Sequence, residues 1–202
     1  MLRALYVLIL ALFVSSAVMA APVIGEAAPD FTGTDVISGK TLTLSDLKGK
    51  TVVLEWNNFN CPFVKKFYSV GAMQELQTRT VKDGVVWVSI NSSAKDKEGY
   101  LPDAKAAKAL LAEHKSHATY YLLDHDGKIG HAYEAKSTPH MFVIDQDGKL
   151  AYMGAIDNKP TADSADIASA TNYVTEALKS LKAGKPVKVK QTRPYGCFVK
   201  YE

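Results

Sequence analysis

The sequence predicts an α/β fold, a central mixed β-sheet flanked by helices, with an N-terminal β-hairpin extension. Three observations predict it. Short apolar runs of strand length alternate with segments of helical composition, the pattern of parallel strands joined by crossovers. The last two apolar runs are separated only by Asp145-Gln146-Asp147-Gly148, a hairpin turn that sets them antiparallel. The first alternating stretches are short and bracket Gly39-Lys40, a second turn.

Each element follows from local chemistry. Thr32–Ile37 and Thr41–Leu44 form the N-terminal hairpin, and Ser45 to Lys50 turns into the first buried strand. Val52 to Trp56 is apolar except for Glu55, as in a strand covered on both faces. A helix follows from Pro62, and Gly71 predicts a break in it before Met73 and Leu76. Val85 to Ile90 is the second strand, Ala104 to His114 an Ala-, Leu- and Lys-rich helix, and Tyr120 to Leu123 the third strand. Ile129 to Ala135 gives one or two helical turns. Met141–Ile144 and Leu150–Gly154 are the hairpin strands. Ser164 to Lys182 predicts one long helix, with Ile167, Thr171, Val174, Leu178 and Leu181 inward and Gly184 as its stop. The segment from Lys185 onward alternates in character and is expected to order against the body.

The chain has 202 residues and a formal charge of +3. Residues 1–20 carry Arg3, the apolar run Leu5 to Val14 and the small residues Val18-Met19-Ala20, the pattern of a cleaved secretory signal peptide. The run is too short and too interrupted, at Ser15-Ser16, for a spanning anchor. The expected organisation is a signal peptide over 1–20, one domain over 21–184 and a C-terminal tail over 185–202. Without Arg3 the net charge is small, which argues against nucleic acid or a membrane surface as partner. The expected location is periplasmic or secreted.

Cys61 is the chemically pointed residue. It stands between an apolar strand and a helix whose first residue is Pro62, where the amides of Phe63 and Val64 could stabilise a thiolate. Lys65 and Lys66 could add charge, although a solvated helix face is the simpler reading for both. Cys197 is the second of only two cysteines. In an oxidising compartment the pair could close a structural disulfide, but a domain of this size does not need one to fold. His114 and His117 lack a cysteine or carboxylate cluster to complete a metal site.

Several motifs, in order, resemble a family. Gly25-Glu26-Ala27-Ala28-Pro29-Asp30-Phe31, Leu47-Lys48-Gly49-Lys50, the strand into Trp56, Cys61-Pro62-Phe63-Val64 and Thr138-Pro139 ahead of Met141–Ile144 resemble the redoxin branch of the thioredoxin superfamily over about residues 23 to 182. That branch holds peroxiredoxins and periplasmic thiol–disulfide proteins. The ending Arg193-Pro194-Tyr195-Gly196-Cys197-Phe198-Val199-Lys200-Tyr201 looks like that of an exported subgroup with the same Cys-Pro-Phe-Val site. Two departures stand out. Val64 occupies the place of the second cysteine of a Cys-X-X-Cys motif. Leu54 and Asn58 occupy the places where peroxiredoxins carry proline and a threonine or serine ahead of the active cysteine.

The resemblance implies a thioredoxin-like fold and a catalytic set of Cys61, Cys197, Pro139, Thr138 and Glu55. Cys61 would be the nucleophile and Pro139 a cis-proline beside it. Thr138 would present its backbone to a substrate disulfide, and Glu55 would be a buried acid behind the thiol, unless it is a water-exposed rim residue. Cys197 would be the resolving thiol, from the same chain or another, a bridge that only pins the tail, or a free thiol served by an outside reductant. His140 reads as a satisfied structural histidine, and Trp56 and Phe63 as packing. The implied function is a thiol-based antioxidant or oxidoreductase acting on hydroperoxides or protein disulfides, served by an external thiol reductant, without organic cofactor or metal. A homodimer stays open. The alternatives are a non-catalytic thioredoxin-fold binding module and a copper-handling protein.

Overall fold

The computed structural model describes residues 21–202. The signal peptide expected over 1–20 lies outside the described residues. An N-terminal hairpin pairs β1 (Thr32–Thr34) with β2 (Thr41–Thr43), antiparallel as expected. The central sheet holds β3 (Val52–Trp56), β4 (Val86–Asn91), β5 (Tyr120–Leu123), β7 (His140–Ile144) and β8 (Leu150–Gly154), in the order β5-β4-β3-β7-β8. β3, β4 and β5 run parallel, while β7 is antiparallel to both β3 and β8. Two short strands, β6 (Ser137–Thr138) and β9 (Cys197–Phe198), pair outside this sheet.

The period-two geometry of strands splits the sheet's side chains into two cores. Val53, Trp87, Met141, Val143 and Tyr152 face α1 (Pro62–Tyr68), α2 (Ala72–Lys82) and α5 (Tyr173–Lys182). Leu54, Trp56, Val88, Ile90, Phe142 and Ile144 face the other way, against Phe31, Leu42 and Tyr133. Coverage on both faces is why β3 reads as a nearly unbroken apolar run. The remaining helices are α3 (Ala104–Glu113) and α4 (Lys128–Ala132). Among the described residues no helix is long and apolar enough to cross a membrane.

The break foreseen at Gly71 separates α1 from α2, and Gly71 takes φ +79°, a left-handed conformation that favours glycine. The long C-terminal helix expected from Ser164 to Lys182 is two pieces. A 3-10 helix covers Ser164–Ser169, Ala170 is extended, and α5 starts only at Tyr173. Asn172 caps α5 by accepting from the Thr175 amide at 2.8 Å, and Asn158 Oδ1 accepts from the Thr171 amide at 2.9 Å. These side chains compete with helical bonds and win the local backbone. Of the expected inner face, only Val174 is buried, together with Ala177; Thr171 is exposed, and Ile167, Leu178 and Leu181 are partly buried.

The tail is ordered along the body. Met153 N donates to Lys190 O at 3.1 Å, Thr192 N donates to Met153 O at 3.1 Å, and Ala94 N donates to Lys200 O at 2.8 Å.

Candidate functional site

The turn between β3 and α1 is built by asparagines. Asn60 N donates to Asn58 Oδ1 at 2.9 Å, Cys61 N donates to Asn58 O at 3.0 Å, and Asn58 Nδ2 reaches Glu98 O at 3.2 Å. Side-chain bonds of this kind fix an irregular turn at a strand end. Cys61 is the N-cap of α1, with Pro62 at the first helical position. Its carbonyl accepts from Val64 N at 3.0 Å and Lys65 N at 2.9 Å.

The thiol itself does not cap the helix, contrary to the expected bonds from the Phe63 and Val64 amides. The Val64 amide is spent on the Cys61 carbonyl. Cys61 Sγ instead donates to Thr138 O at 3.0 Å, across the top of the sheet. The Thr138–Pro139 peptide is cis. Cys61 is only 1% exposed, and Thr138 Oγ1 is buried without a hydrogen-bond partner among the described residues.

Cys197 completes the cluster. β9 pairs antiparallel with β6, so that Cys197 stands opposite Thr138 and Phe198 opposite Ser137. Both cysteines are free thiols. The Cys197 thiol is pushed up to about 12, first by burial and then by the neighbouring Cys61 sulfur. Four residues expected at the site, Cys61, Thr138, Pro139 and Cys197, therefore meet at one place.

Glu55 lies apart from them, inside the sheet. It is fully buried, which rules out a rim position. Its carboxylate accepts from Trp87 Nε1 (2.8 Å), Ser89 Oγ (2.9 Å), Asn57 Nδ2 (3.0 Å), Tyr68 OH (3.1 Å) and Gln77 Nε2 (3.3 Å). Burial raises its pKa above the usual carboxylate value and these bonds oppose the rise. No hydrogen bond joins Glu55 to Cys61 directly; Asn57, at the start of the turn, lies between.

Lys66 corrects the expectation of a solvated helix face. Lys65 is exposed, but Lys66 is 2% exposed. Its ammonium donates to Lys159 O at 2.8 Å and lies 3.5 Å from Asp157 Oδ2. Asp157 also accepts from the Tyr195 hydroxyl, and the Lys66 ammonium sits 5.6 Å from the centre of the Tyr195 ring. Sequence reasoning missed this group because its members are far apart in the chain and Asp157 sits in no motif. His140 is buried, and burial followed by the charge of Lys136 lowers its pKa to about 3, so it is neutral. His114 stacks on Phe59 with ring centres 4.2 Å apart. Among the described residues no group of three or more His, Cys, Asp or Glu side chains gathers as a metal site.

Residues 24–153 match the AhpC/TSA family. The chain belongs to that family. It is thus a redoxin of the thioredoxin superfamily, with the thioredoxin-like fold expected from the sequence. An uncharacterized conserved protein from Geobacillus kaustophilus is similar at 29% identity, with a TM-score of 0.73 over 89% of this chain and 92% of that one. A hypothetical protein from Sinorhizobium meliloti 1021 shares the fold, at 23% identity and TM-score 0.72, over 89% of this chain and 95% of that one. A proposed thiol:disulfide interchange protein, DsbE, from Chlorobium tepidum is 25% identical with TM-score 0.53, over 65% of this chain and 84% of that one. No curated protein matches the chain.

Proposed function

We propose that this redoxin is a periplasmic or secreted thiol oxidoreductase that exchanges disulfides through Cys61, with Cys197 of the same chain as resolving thiol. The observation that carries this reading is the meeting of the two thiols at Thr138: Cys61 Sγ donates to Thr138 O at 3.0 Å, and Cys197 pairs with Thr138 from the tail. The relationship to the proposed thiol:disulfide interchange protein supports the same class of chemistry.

The electrons balance as follows. The Cys61 thiolate attacks one sulfur of a protein disulfide, forming a mixed disulfide and releasing the other sulfur as a thiolate. The Cys197 thiolate then attacks Cys61 Sγ. The second substrate sulfur leaves as a thiolate and is protonated from water, and a Cys61–Cys197 disulfide remains. The substrate has gained two electrons, and an external dithiol reductant restores the pair. Thr138 O holds the Cys61 proton in the resting state, Pro139 shapes the loop that presents this carbonyl, and Glu55 is a proton reservoir behind the turn. The working unit is the domain over 21–184 with its tail over 185–202, after removal of a signal peptide over 1–20.

Membership in the AhpC/TSA family favours a second reading, hydroperoxide reduction. Cys61 would then attack the peroxide oxygen, release an alcohol or water, and become a sulfenic acid that condenses with Cys197 to the same disulfide and water. Leu54 and Asn58, in the places of the peroxiredoxin pattern, argue for slow peroxide turnover.

The test compares wild type, Cys61→Ser and Cys197→Ser in two assays, reduction of insulin disulfides and consumption of hydrogen peroxide. We expect wild type to reduce insulin, Cys61→Ser to be inert, and Cys197→Ser to stall as a mixed disulfide visible by mass. Fast peroxide consumption lost in Cys61→Ser, without insulin reduction, would establish the peroxidase reading instead. Wild type indistinguishable from Cys61→Ser in both assays would leave a binding module.

A further inference from the structure

The tail is fitted to the body at a series of matched stations. Thr192 Oγ1 accepts from Ala155 N at 2.9 Å and lies 2.7 Å from Tyr152 OH, in a space open only because residue 154 is glycine, where a Cβ would overlap Thr192. Tyr195 puts its hydroxyl on the buried Asp157 and its ring edge-on to Phe63, 5.8 Å between centres. Gly196, at φ +139°, lets the backbone lie against the Thr138 carbonyl, which any Cβ there would strike. Beyond Cys197, Val199 N donates to Lys136 O at 3.2 Å. Tyr201 stacks on His131 and fills the space left by Gly130. A tail with no role would not need glycines on both sides of its path.

Where this path crosses the site it closes it. Tyr195 and Cys197 pack against the core cluster that contains Cys61, and the Cys61 sulfur is almost without solvent contact. A thiol must be reached to be attacked or to attack. We propose that the C-terminal segment is a releasable strap that keeps reduced Cys61 covered, latched by Tyr195 on the buried Asp157–Lys66 pair. This rests on reading Cys61 as the reactive thiol. Opening frees both Cys61 and the Ser137–Thr138 edge; closing returns Cys197 to Cys61 for the resolving attack. Local opening of such a segment is controlled by the contacts that hold it. Tyr195, Asp157 and Lys66 are thus positioning residues, remote from the reacting sulfurs.

The experiment reads the rate at which iodoacetamide labels Cys61 in the full native chain, in a Cys197→Ser background so that one thiol is counted. Slow labelling is expected, against fast labelling in denaturant. Tyr195→Phe, which removes the hydroxyl from the charged Asp157, should speed it by about tenfold or more. Gly196→Val, which cannot seat against Thr138, should speed it further. The acceleration should be uniform from pH 6 to 9, since access scales the rate at every pH, whereas a change of thiol acidity would move the midpoint. Amide exchange at Val199 should accelerate in parallel in Tyr195→Phe, a measurement that serves even where Gly196→Val does not fold.

Labelling of the parent as fast as in the unfolded chain would overturn the strap. So would unchanged labelling and Val199 exchange in folded Tyr195→Phe, or a shifted midpoint without uniform acceleration. None of these readouts depends on turnover. Tyr195→Phe with Cys197 in place, labelled fast at Cys61 by mass mapping yet reducing neither insulin nor peroxide, would sink the proposed function and leave the strap standing.

Discussion

Cys61 and Cys197 share one backbone carbonyl neighbourhood but not one chemistry. Cys61 Sγ has a carbonyl acceptor in Thr138, while Cys197 is held as a thiol by burial and by Cys61 beside it, with its pKa pushed up to about 12. The sign matters for kinetics. A raised thiol pKa means that the thiolate fraction at neutral pH is small and grows about tenfold per pH unit until the pH approaches that value. With Cys61 held in a mixed disulfide, burial alone still raises the Cys197 thiol, so where the resolving attack limits turnover its single-turnover rate is expected to rise between pH 7 and 9, read by stopped-flow decay of the preformed mixed disulfide. A flat profile over that range would mean that Cys197 is not the attacking group, or that the strap opens before it attacks. Behind the turn, Glu55 shows how one buried carboxyl group is made tolerable. Five side chains from the turn after β3, α1, α2 and β4 donate to it, and losing any one leaves a buried acceptor less satisfied.

The last helix shows local chemistry overriding periodicity at the scale of elements. The apolar spacing from Ile167 to Leu181 suits a single helix, yet Asn172 takes the cap position of α5 and the chain before it is pulled out to Asn158. Asn172→Ala is expected to destabilise the fold by about 1 kcal/mol, the usual worth of an N-cap side chain, measured by urea unfolding. A gain in stability would show that the break is held by the Asn158 bond alone. Gly71 was legible because its break is a backbone requirement. Asn172 was not, because asparagine within an apolar rhythm becomes a cap only when the packing of the flanking segments turns the chain there. Lys66 was misread for a related reason. On sequence it is one of two adjacent lysines near the start of a helix, and only the approach of Asp157 and Tyr195 shows which of the two turns inward.

Taken whole, the molecule is a thioredoxin-like sheet with its own tail laid across the end that carries Cys61. Oxidation that joins Cys61 to Cys197 closes a loop through most of the domain. It is expected to stabilise the protein by about 4 kcal/mol relative to the reduced form, because the unfolded chain loses freedom while the strap is already docked. Paired denaturation curves with and without reductant measure this. An oxidised form no more stable than the reduced one would show that the link must distort the docked strap.

The sequence by itself determined the order and type of nearly every element. Strand and helix periods are written in neighbouring residues, and the turn at Cys61 and the hairpin at Asp145–Gly148 are local patterns. It also pointed to Cys61, Thr138, Pro139 and Cys197, through motifs whose order resembles a family. Only the tertiary structure decided that the Cys61 thiol bonds a carbonyl rather than the helix amides, that Glu55 is sealed among five donors, and that the tail lies over the site. Those outcomes depend on which distant segments meet, and no local pattern of apolar and polar residues carries that information.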